Sequence, residues 1–162
     1  MPRVFVGIGS NIEREASVRA GVAALHAAFG ELQLSSVYES EAVGFAGDAF
    51  YNLVAAFDTE ASIAEVAAIL ADIERRCGRR RGDDKFAPRT LDLDLLLYGD
   101  AVVDDGRQHL PRDEITRYAF VLWPLAEIAP QQRHPECGAT FAELWAAFDK
   151  SGPALRPIEF AW

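Results

Sequence analysis

Two acidic residues lie in an otherwise apolar segment, with the spacing of a β-strand. Asp92 and Asp94 alternate with leucines in residues 91–98, Leu-Asp-Leu-Asp-Leu-Leu-Leu-Tyr. In a strand, residues i and i+2 point to the same face and lie about 6.5 Å apart. The two carboxylates therefore lie side by side, where they repel one another, and burying either one without a partner is costly. The spacing predicts a strongly positive partner.

Basic residues just before this segment supply one candidate partner. The chain has a net charge of −9, yet residues 75–89 include Arg75, Arg76, Arg79, Arg80, Arg81, Lys85 and Arg89. Divalent cations are the other candidate, because Mg²⁺ takes oxygen ligands, typically one or two carboxylates plus substrate phosphates. Arginines bind phosphate oxygens bidentately. The combination favours a metal–polyphosphate site, and Asp–Arg ion pairs at the sheet edge are the alternative.

Four apolar or alternating runs are predicted to be the strands that position these residues. They cover residues 3–8, 32–38, 50–57 and 91–98. The second run alternates along one face, and the third is continuously apolar, as is typical of a central strand. Long loops at 44–49 and 78–90 separate the elements, and function commonly lies in such loops.

Two helices are predicted between the strands and a third near the C-terminus. The first has Ser10 or Asn11 as its cap and ends at Gly30. The second begins with a capping box of Ser62 and Glu65 and ends at Gly78. Thr140 and Glu143 cap the third. Apolar residues at helical spacing define the inner faces: Val18, Val22, Leu25 and Phe29; Ile63, Val66, Leu70, Ile73 and Cys77; and Phe141, Leu144, Trp145 and Phe148.

The order of the elements predicts an α+β fold with a ferredoxin-like βαββαβ core and additional C-terminal helices. The length of 162 residues fits one domain, expected to span 1–162.

Composition narrows the classes of function and the compartment. The acidic balance disfavours nucleic-acid binding, so a small RNA- or metal-binding ferredoxin-like module is the least supported hypothesis. No apolar run approaches the length of a membrane span, and no signal peptide is expected at the start of the chain. Cys77 and Cys137 form no CxxC pair and are interpreted as thiols in a reducing cytoplasm.

Residues 88–99, Pro-Arg-Thr-Leu-Asp-Leu-Asp-Leu-Leu-Leu-Tyr-Gly, closely resemble the signature of the 6-hydroxymethyl-7,8-dihydropterin pyrophosphokinases of folate biosynthesis. Two further segments resemble the same family in the same order. They are Gly9-Ser10-Asn11 and residues 120–130, Phe-Val-Leu-Trp-Pro-Leu-Ala-Glu-Ile-Ala-Pro. The resemblance covers roughly residues 3–145.

The resemblance implies a ferredoxin-like fold and transfer of pyrophosphate from ATP to 6-hydroxymethyl-7,8-dihydropterin, with release of AMP. It implies that Asp92 and Asp94 bind two Mg²⁺ ions and that Arg79 and Arg89 are catalytic residues at the polyphosphate. A cytoplasmic monomer without nucleic-acid or membrane partners is expected.

The resemblance also implies nucleotide and pterin contacts. Glu74, Arg81 and Phe86 match positions near the nucleotide, with Phe86 where many members have tryptophan. For the pterin, Phe50 and Phe120 match the two rings that sandwich it, and Asn52 matches the residue that binds its polar edge. Val43 and Gly44 complete that set. By residue type alone, Phe50 and Phe120 would be core residues, and Asn52 would be structural.

The segment 110–120 departs from the family pattern. The family usually has a histidine after the proline and an arginine two residues before the phenylalanine, where this chain has Arg112 and Tyr118. Arg112 and the neighbouring Arg117 are candidates to contact nucleotide phosphates instead, although one helical position rotates a side chain by about 100°. Asp113 and Glu114 add negative charge there. A divergent, non-catalytic or weakly active pterin- or nucleotide-binding paralogue is the alternative.

Overall fold

An antiparallel sheet with helices on both faces organises the chain. The computed structural model describes residues 1–40, 49–78 and 91–162. The strands in that part of the chain are β1 (Arg3–Ser10), β2 (Gln33–Leu34), β3 (Val37–Ser40), β4 (Phe50–Asp58), β5 (Asp92–Tyr98), β6 (Val103–Asp104), β7 (His109–Leu110) and β8 (Leu155–Ile158). The helices there are α1 (Arg14–Phe29), α2 (Ile63–Gly78), α3 (Glu114–Arg117), α4 (Ala119–Ile128) and α5 (Phe141–Ala147).

The strand order confirms the ferredoxin-like prediction. The sheet runs β5-β1-β4-β3-β8, with β2 also pairing with β4, and neighbouring strands are antiparallel. Taking β2 and β3 together as the second strand of a βαββαβ unit, the central order is fourth, first, third, second. Helices α1 and α2 cover one face, and α3, α4 and α5 cover part of the other. None of the described helices has the length and apolar character to cross a membrane.

Alternation along the strands divides the core into two layers. Val4, Val6 and Ile8 of β1 pack toward α1 and α2, whereas Phe5 packs on the opposite face. The β1–β5 register shifts between Phe5 and Val6. As a result, Leu96 and Leu97 both reach the second layer, as a bulge allows.

Two of the three predicted helix caps are confirmed. Glu65 N–H donates to Ser62 Oγ at 3.1 Å, and Ser62 N–H donates to Glu65 Oε1 at 3.1 Å. The capping box of Thr140 and Glu143 is also formed. The predicted cap at Ser10 or Asn11 is wrong. Helix α1 instead follows Glu13, because Ser10 is the last residue of β1, paired with Tyr51.

The predicted continuous strand at 32–38 is interrupted. Ser35 Oγ accepts a hydrogen bond from Val54 N–H at 2.9 Å, and Ser35 N–H donates to Val54 O at 2.9 Å. The side chain replaces a backbone acceptor of the ladder, so the segment divides into β2 and β3. The sequence predictions also missed β8, which adds an edge strand beyond β3, and α4, which contains Pro124.

Candidate active site

A cleft opens on the sheet face opposite α1 and α2. Because side chains alternate along a strand, Asp92 and Asp94 of β5 and Phe50 and Asn52 of β4 project to this face. The cleft has a volume of about 1420 Å³, and the segment 116–123 forms its opposite wall.

Two glycines form the floor of this cleft. β1 lies between β4 and β5, and its Gly9 pairs with Asn52 on one side and with Asp92 on the other. Gly7 pairs in the same way with Asp94. A Cβ atom at Gly9 would lie 3.0 Å from Asn52 Oδ1. Because glycine has no side chain, the floor between the acid pair and Asn52 is open. The backbones of β5 and β4, which carry the acid pair and Asn52, are about 10 Å apart across β1.

The acid pair of Asp92 and Asp94 is exposed to the cleft, whereas Leu93 and Leu95 between and after them are buried. Nη2 of Arg112 lies 3.4 Å from Asp94 Oδ1. Partial burial raises the pKa of the Asp94 carboxyl, the charge of Arg112 opposes that rise, and Glu114 adds to it. Among the described residues, Arg112 thus supplies a positive partner for Asp94, and the part of the basic run at 79–89 lies outside them.

The carboxylate oxygens of Asp92 and Asp94 suit a hard cation whose remaining ligands are water or substrate oxygens. In the described ranges, no cluster of three or more histidine, cysteine, aspartate or glutamate side chains could hold a metal. Two neighbouring carboxylates that line the cleft match Mg²⁺, which binds through one or two carboxylates and completes its shell with water and phosphate oxygens. They do not match a closed structural zinc site, which needs four protein ligands.

Arg112 and Arg117, both predicted at the nucleotide, lie in different surroundings. Arg112 lies beside the acid pair, and its Nε donates to Glu114 Oε2 at 2.6 Å. Arg117 lines the cleft, but its side chain is 67% exposed and its Nη2 lies 4.0 Å from Asp113 Oδ2. The structure therefore brings Arg112 to the carboxylates and leaves Arg117 at the rim.

Glu74, also predicted near the nucleotide, contacts the backbone between the two aspartates. Its Oε2 accepts a hydrogen bond from Leu93 N–H at 3.1 Å. Among the described strands, β5 lies at the end of the sheet, and this N–H faces away from β1 toward α2. Glu74 of α2 thus fastens the strand edge between Asp92 and Asp94, a contact that the sequence patterns did not indicate.

The predicted pterin contacts Phe50, Asn52 and Phe120 all line the cleft. Phe120 is 37% exposed in the first turn of α4 and stacks on Tyr118 with ring centroids 5.1 Å apart. Asn52 is 7% exposed, and its Nδ2 donates to Ser40 Oγ at 3.3 Å. The sequence predicted neither the stacking of Tyr118 on Phe120 nor the contact of Ser40 with Asn52.

Glu127 and Trp123 anchor the helix that carries Phe120. Glu127 accepts hydrogen bonds from Tyr38 Oη at 2.6 Å and from Ser36 Oγ at 2.9 Å, which join α4 to the β3 side of the sheet. Burial raises the pKa of Tyr38 far above its usual range, and the bond to Glu127 adds to the rise. Trp123 packs between Tyr38 and Trp145, with centroid distances of 4.9 and 5.1 Å.

Six predicted site residues lie outside the described residues, so their roles stay predictions. They are the catalytic candidates Arg79 and Arg89, the nucleotide candidates Arg81 and Phe86, and the pterin candidates Val43 and Gly44.

Sequence comparisons place the chain among named enzymes. A family model described as 7,8-dihydro-6-hydroxymethylpterin-pyrophosphokinase matches residues 5–130. A Pseudomonas aeruginosa protein named 2-amino-4-hydroxy-6-hydroxymethyldihydropteridine pyrophosphokinase is 40% identical over 96% of this chain and 97% of its own length. A protein of the same name from Methylorubrum extorquens is 36% identical over 94% of this chain and 97% of its own length.

Solved structures share the fold. A crystal structure of wild-type Plasmodium falciparum HPPK-DHPS superposes with a TM-score of 0.69 at 12% identity, covering 90% of this chain and 43% of that chain. A second HPPK-DHPS structure, with substrates, also has a TM-score of 0.69 at 10% identity. The chain thus spans less than half the length of these structural neighbours, and at such identities the likeness concerns the fold alone.

Proposed function

The chain belongs to the 7,8-dihydro-6-hydroxymethylpterin-pyrophosphokinase family, and on that premise we propose that it transfers pyrophosphate from ATP to 6-hydroxymethyl-7,8-dihydropterin in folate biosynthesis. The pterin hydroxyl oxygen forms a bond to the β-phosphorus and gives up its proton to solvent. The bond between that phosphorus and the α,β-bridging oxygen breaks, and AMP leaves. The observation that carries this proposal is a glycine-floored cleft with a carboxylate pair on one side and a buried amide with aromatic rings on the other.

Each side of the cleft suits one substrate. Asn52 offers an amide donor and acceptor at 7% exposure, which suits the polar edge of a pterin. Phe50 and Phe120 supply rings to pack on its flat faces. Asp92 and Asp94 would hold two Mg²⁺ ions, which when bound neutralise the phosphates and align the reacting oxygens. Arg79 and Arg89 are proposed as the cations that stabilise the transferring group.

Glu74 and Arg112 have proposed roles at the nucleotide end. Glu74 holds the Leu93 backbone in place, so both flanking carboxylates keep a fixed separation. Arg112 presents a guanidinium next to Asp94, where phosphate oxygens would accept its hydrogen bonds. Arg81, Phe86 and Arg117 complete the proposed nucleotide set, and Val43 and Gly44 complete the pterin set.

The state of the protein is part of the proposal. We infer a single domain over residues 1–162 that acts as a cytoplasmic monomer on small substrates, without nucleic-acid or membrane partners. The net charge of −9 supports the absence of nucleic-acid binding. Sedimentation equilibrium at micromolar concentration tests the monomer, and a twofold higher mass contradicts it.

Product identity tests the activity. The protein is incubated with 6-hydroxymethyl-7,8-dihydropterin, ATP and Mg²⁺, and the nucleotide products are separated. AMP is expected, and its formation is lost in Asp92→Asn and Asp94→Asn. Asp100→Asn, in the exposed turn after β5, is the matched control and retains activity. ADP as product overturns the pyrophosphoryl assignment, and pterin binding without AMP supports the non-catalytic alternative.

A further inference from the structure

The guanidinium of Arg112 stands between two carboxylates. Its Nη2 lies 3.4 Å from Asp94 Oδ1, and its Nε donates to Glu114 Oε2 at 2.6 Å. The contact to Glu114 is the shorter one. The guanidinium of Arg112 therefore pairs both with Asp94, a member of the acid pair, and with Glu114, which lies outside the pair.

The backbone of Arg112 is fastened at this place. Its N–H donates to Leu96 O at 3.1 Å, two residues along β5 from Asp94. Its side chain is 35% exposed, against 67% for Arg117. Because this bond holds the backbone of Arg112, the guanidinium can move only by rotation of the side chain, toward Asp94 or toward Glu114.

We propose that Arg112 is a positioning residue that competes with the divalent cation for Asp94, with Glu114 holding the guanidinium when the cation binds. This inference rests on the proposed metal site at the acid pair. A positive charge this close to Asp94 repels an incoming cation and occupies one of the carboxylate's oxygens. In metal-free protein the same charge offsets the repulsion between the two aspartates. Once released from Asp94, the guanidinium would remain paired with Glu114 beside the acid pair, next to the phosphate site of the proposed function.

Metal affinity without nucleotide is the direct test, with Mn²⁺ as the probe, since carboxylate sites that take Mg²⁺ also take Mn²⁺. Free Mn²⁺ is measured by electron paramagnetic resonance during titration of the protein. Arg112→Gln is expected to bind Mn²⁺ about fivefold more tightly than wild type, the equivalent of about 1 kcal/mol for a partly exposed ion pair. Arg117→Gln removes the same charge from the rim and is expected to change the affinity less than twofold.

Glu114 supplies a change in the opposite direction. Glu114→Gln removes the second carboxylate, so the guanidinium of Arg112 pairs with Asp94 alone. Mn²⁺ binding is expected to weaken, because Arg112 then competes more strongly for Asp94. Asp113→Asn removes an equal charge one residue away without breaking a hydrogen bond to Arg112. In an Arg112→Gln background, the effect of Glu114→Gln is expected to shrink to that of Asp113→Asn, because nothing remains for Glu114 to hold.

Unchanged or weaker Mn²⁺ binding in Arg112→Gln overturns the inference. If that variant is unfolded by thermal melting, Arg112→Lys replaces it. Lysine lacks the forked guanidinium but keeps the charge, so Mn²⁺ affinity within twofold of wild type is expected, and fivefold tighter binding contradicts charge competition.

Asp94→Asn separates the two proposals. If it leaves Mn²⁺ binding intact, the metal site itself is wrong. If it abolishes binding while Arg112→Gln changes nothing, only the role of Arg112 fails.

Discussion

The two faces of the sheet are built from the same strands, yet the residues that the structure describes fill one face and leave part of the other open. Toward α1 and α2, the alternate residues Val6, Ile8, Leu93 and Leu95 are at most 5% exposed. On the opposite face, α4 and α5 cover Phe5, Val54 and Leu97, but the layer ends before it reaches Gly9, Asn52 and the acid pair. The cleft is therefore the part of the second core that the C-terminal helices leave uncovered. Substitutions on the filled face should change stability, and those on the open face should change activity.

The largest effect is expected on the open face. Asp94→Asn keeps the size of the side chain and removes its charge, so AMP formation should fall on the order of 100-fold or more, the usual loss when one preorganised electrostatic contact is removed. The free energy of unfolding should change by less than about 1 kcal/mol, because the Asp94 side chain is half-exposed and its ion pair with Arg112 contributes little. Steady-state kinetics and urea denaturation of the same preparation measure both quantities. A large loss of stability would mean that the open face is also structural.

The converse result is expected on the filled face. Leu25 of α1 is fully buried, and Leu25→Ala should lower the free energy of unfolding by about 3 kcal/mol through lost transfer energy and the cavity left behind. The kcat of the folded fraction should be unchanged, since Leu25 lies on the far side of the sheet. A reduced kcat in fully folded protein would show that the two faces are coupled.

The anchor of α4 should give an intermediate effect. Glu127→Leu leaves the buried hydroxyl of Tyr38 without its acceptor, which should cost about 2 kcal/mol. Urea denaturation measures this loss. Glu31→Leu, at an exposed position, is the matched control and should change stability by less than about 0.5 kcal/mol. Equal losses of stability in the two variants would contradict the role of Glu127 in holding α4 to the sheet.

The glycine floor should respond in affinity rather than in fold. The Cβ atom of Gly9→Ala would lie 3.0 Å from Asn52 Oδ1, so it should displace the amide or narrow the cleft. The KM for the pterin should rise about tenfold, which is the lower limit of the change in specificity that one extra carbon causes in a fitted pocket. The KM for ATP should change less, and an equal rise in both values would contradict a pterin-side role.

The smallest effect concerns His134, whose ring lies edge-on to the buried Phe141 of α5, with ring centroids 6.5 Å apart. His134 is 7% exposed, and its Nδ1 accepts hydrogen bonds from the N–H groups of Glu136 and Cys137. Burial lowers its pKa below the ordinary value of 6.5, opposed by the charge of Glu136. Since the unfolded chain takes up the proton first, the free energy of unfolding should fall as the pH drops below 6.5. Denaturation at pH 7.5 and 5.5 should show this dependence in wild type, and His134→Gln should reduce it.

Local patterns predicted the parts of the fold whose causes are local. The two capping boxes, the end of α1 at Gly30 and the strand carrying Asp92 and Asp94 depend on residues within a few positions of one another. The start of α1 was wrong because Ser10 is bound into the sheet by a distant strand. The strand at 32–38 was interrupted because Ser35 bonds to Val54. Both errors arose where long-range pairing overrode a local preference.

Sequence alone determined that two carboxylates share one strand face and that a pyrophosphokinase signature surrounds them, because strand periodicity and a contiguous motif need no knowledge of the rest of the chain. Tertiary structure alone decided that Arg112 reaches Asp94, that Glu74 fastens Leu93, and that Gly9 lies between Asn52 and Asp92. Each of these contacts joins separate elements, and their meeting depends on strand order and helix packing, which local spacing does not encode.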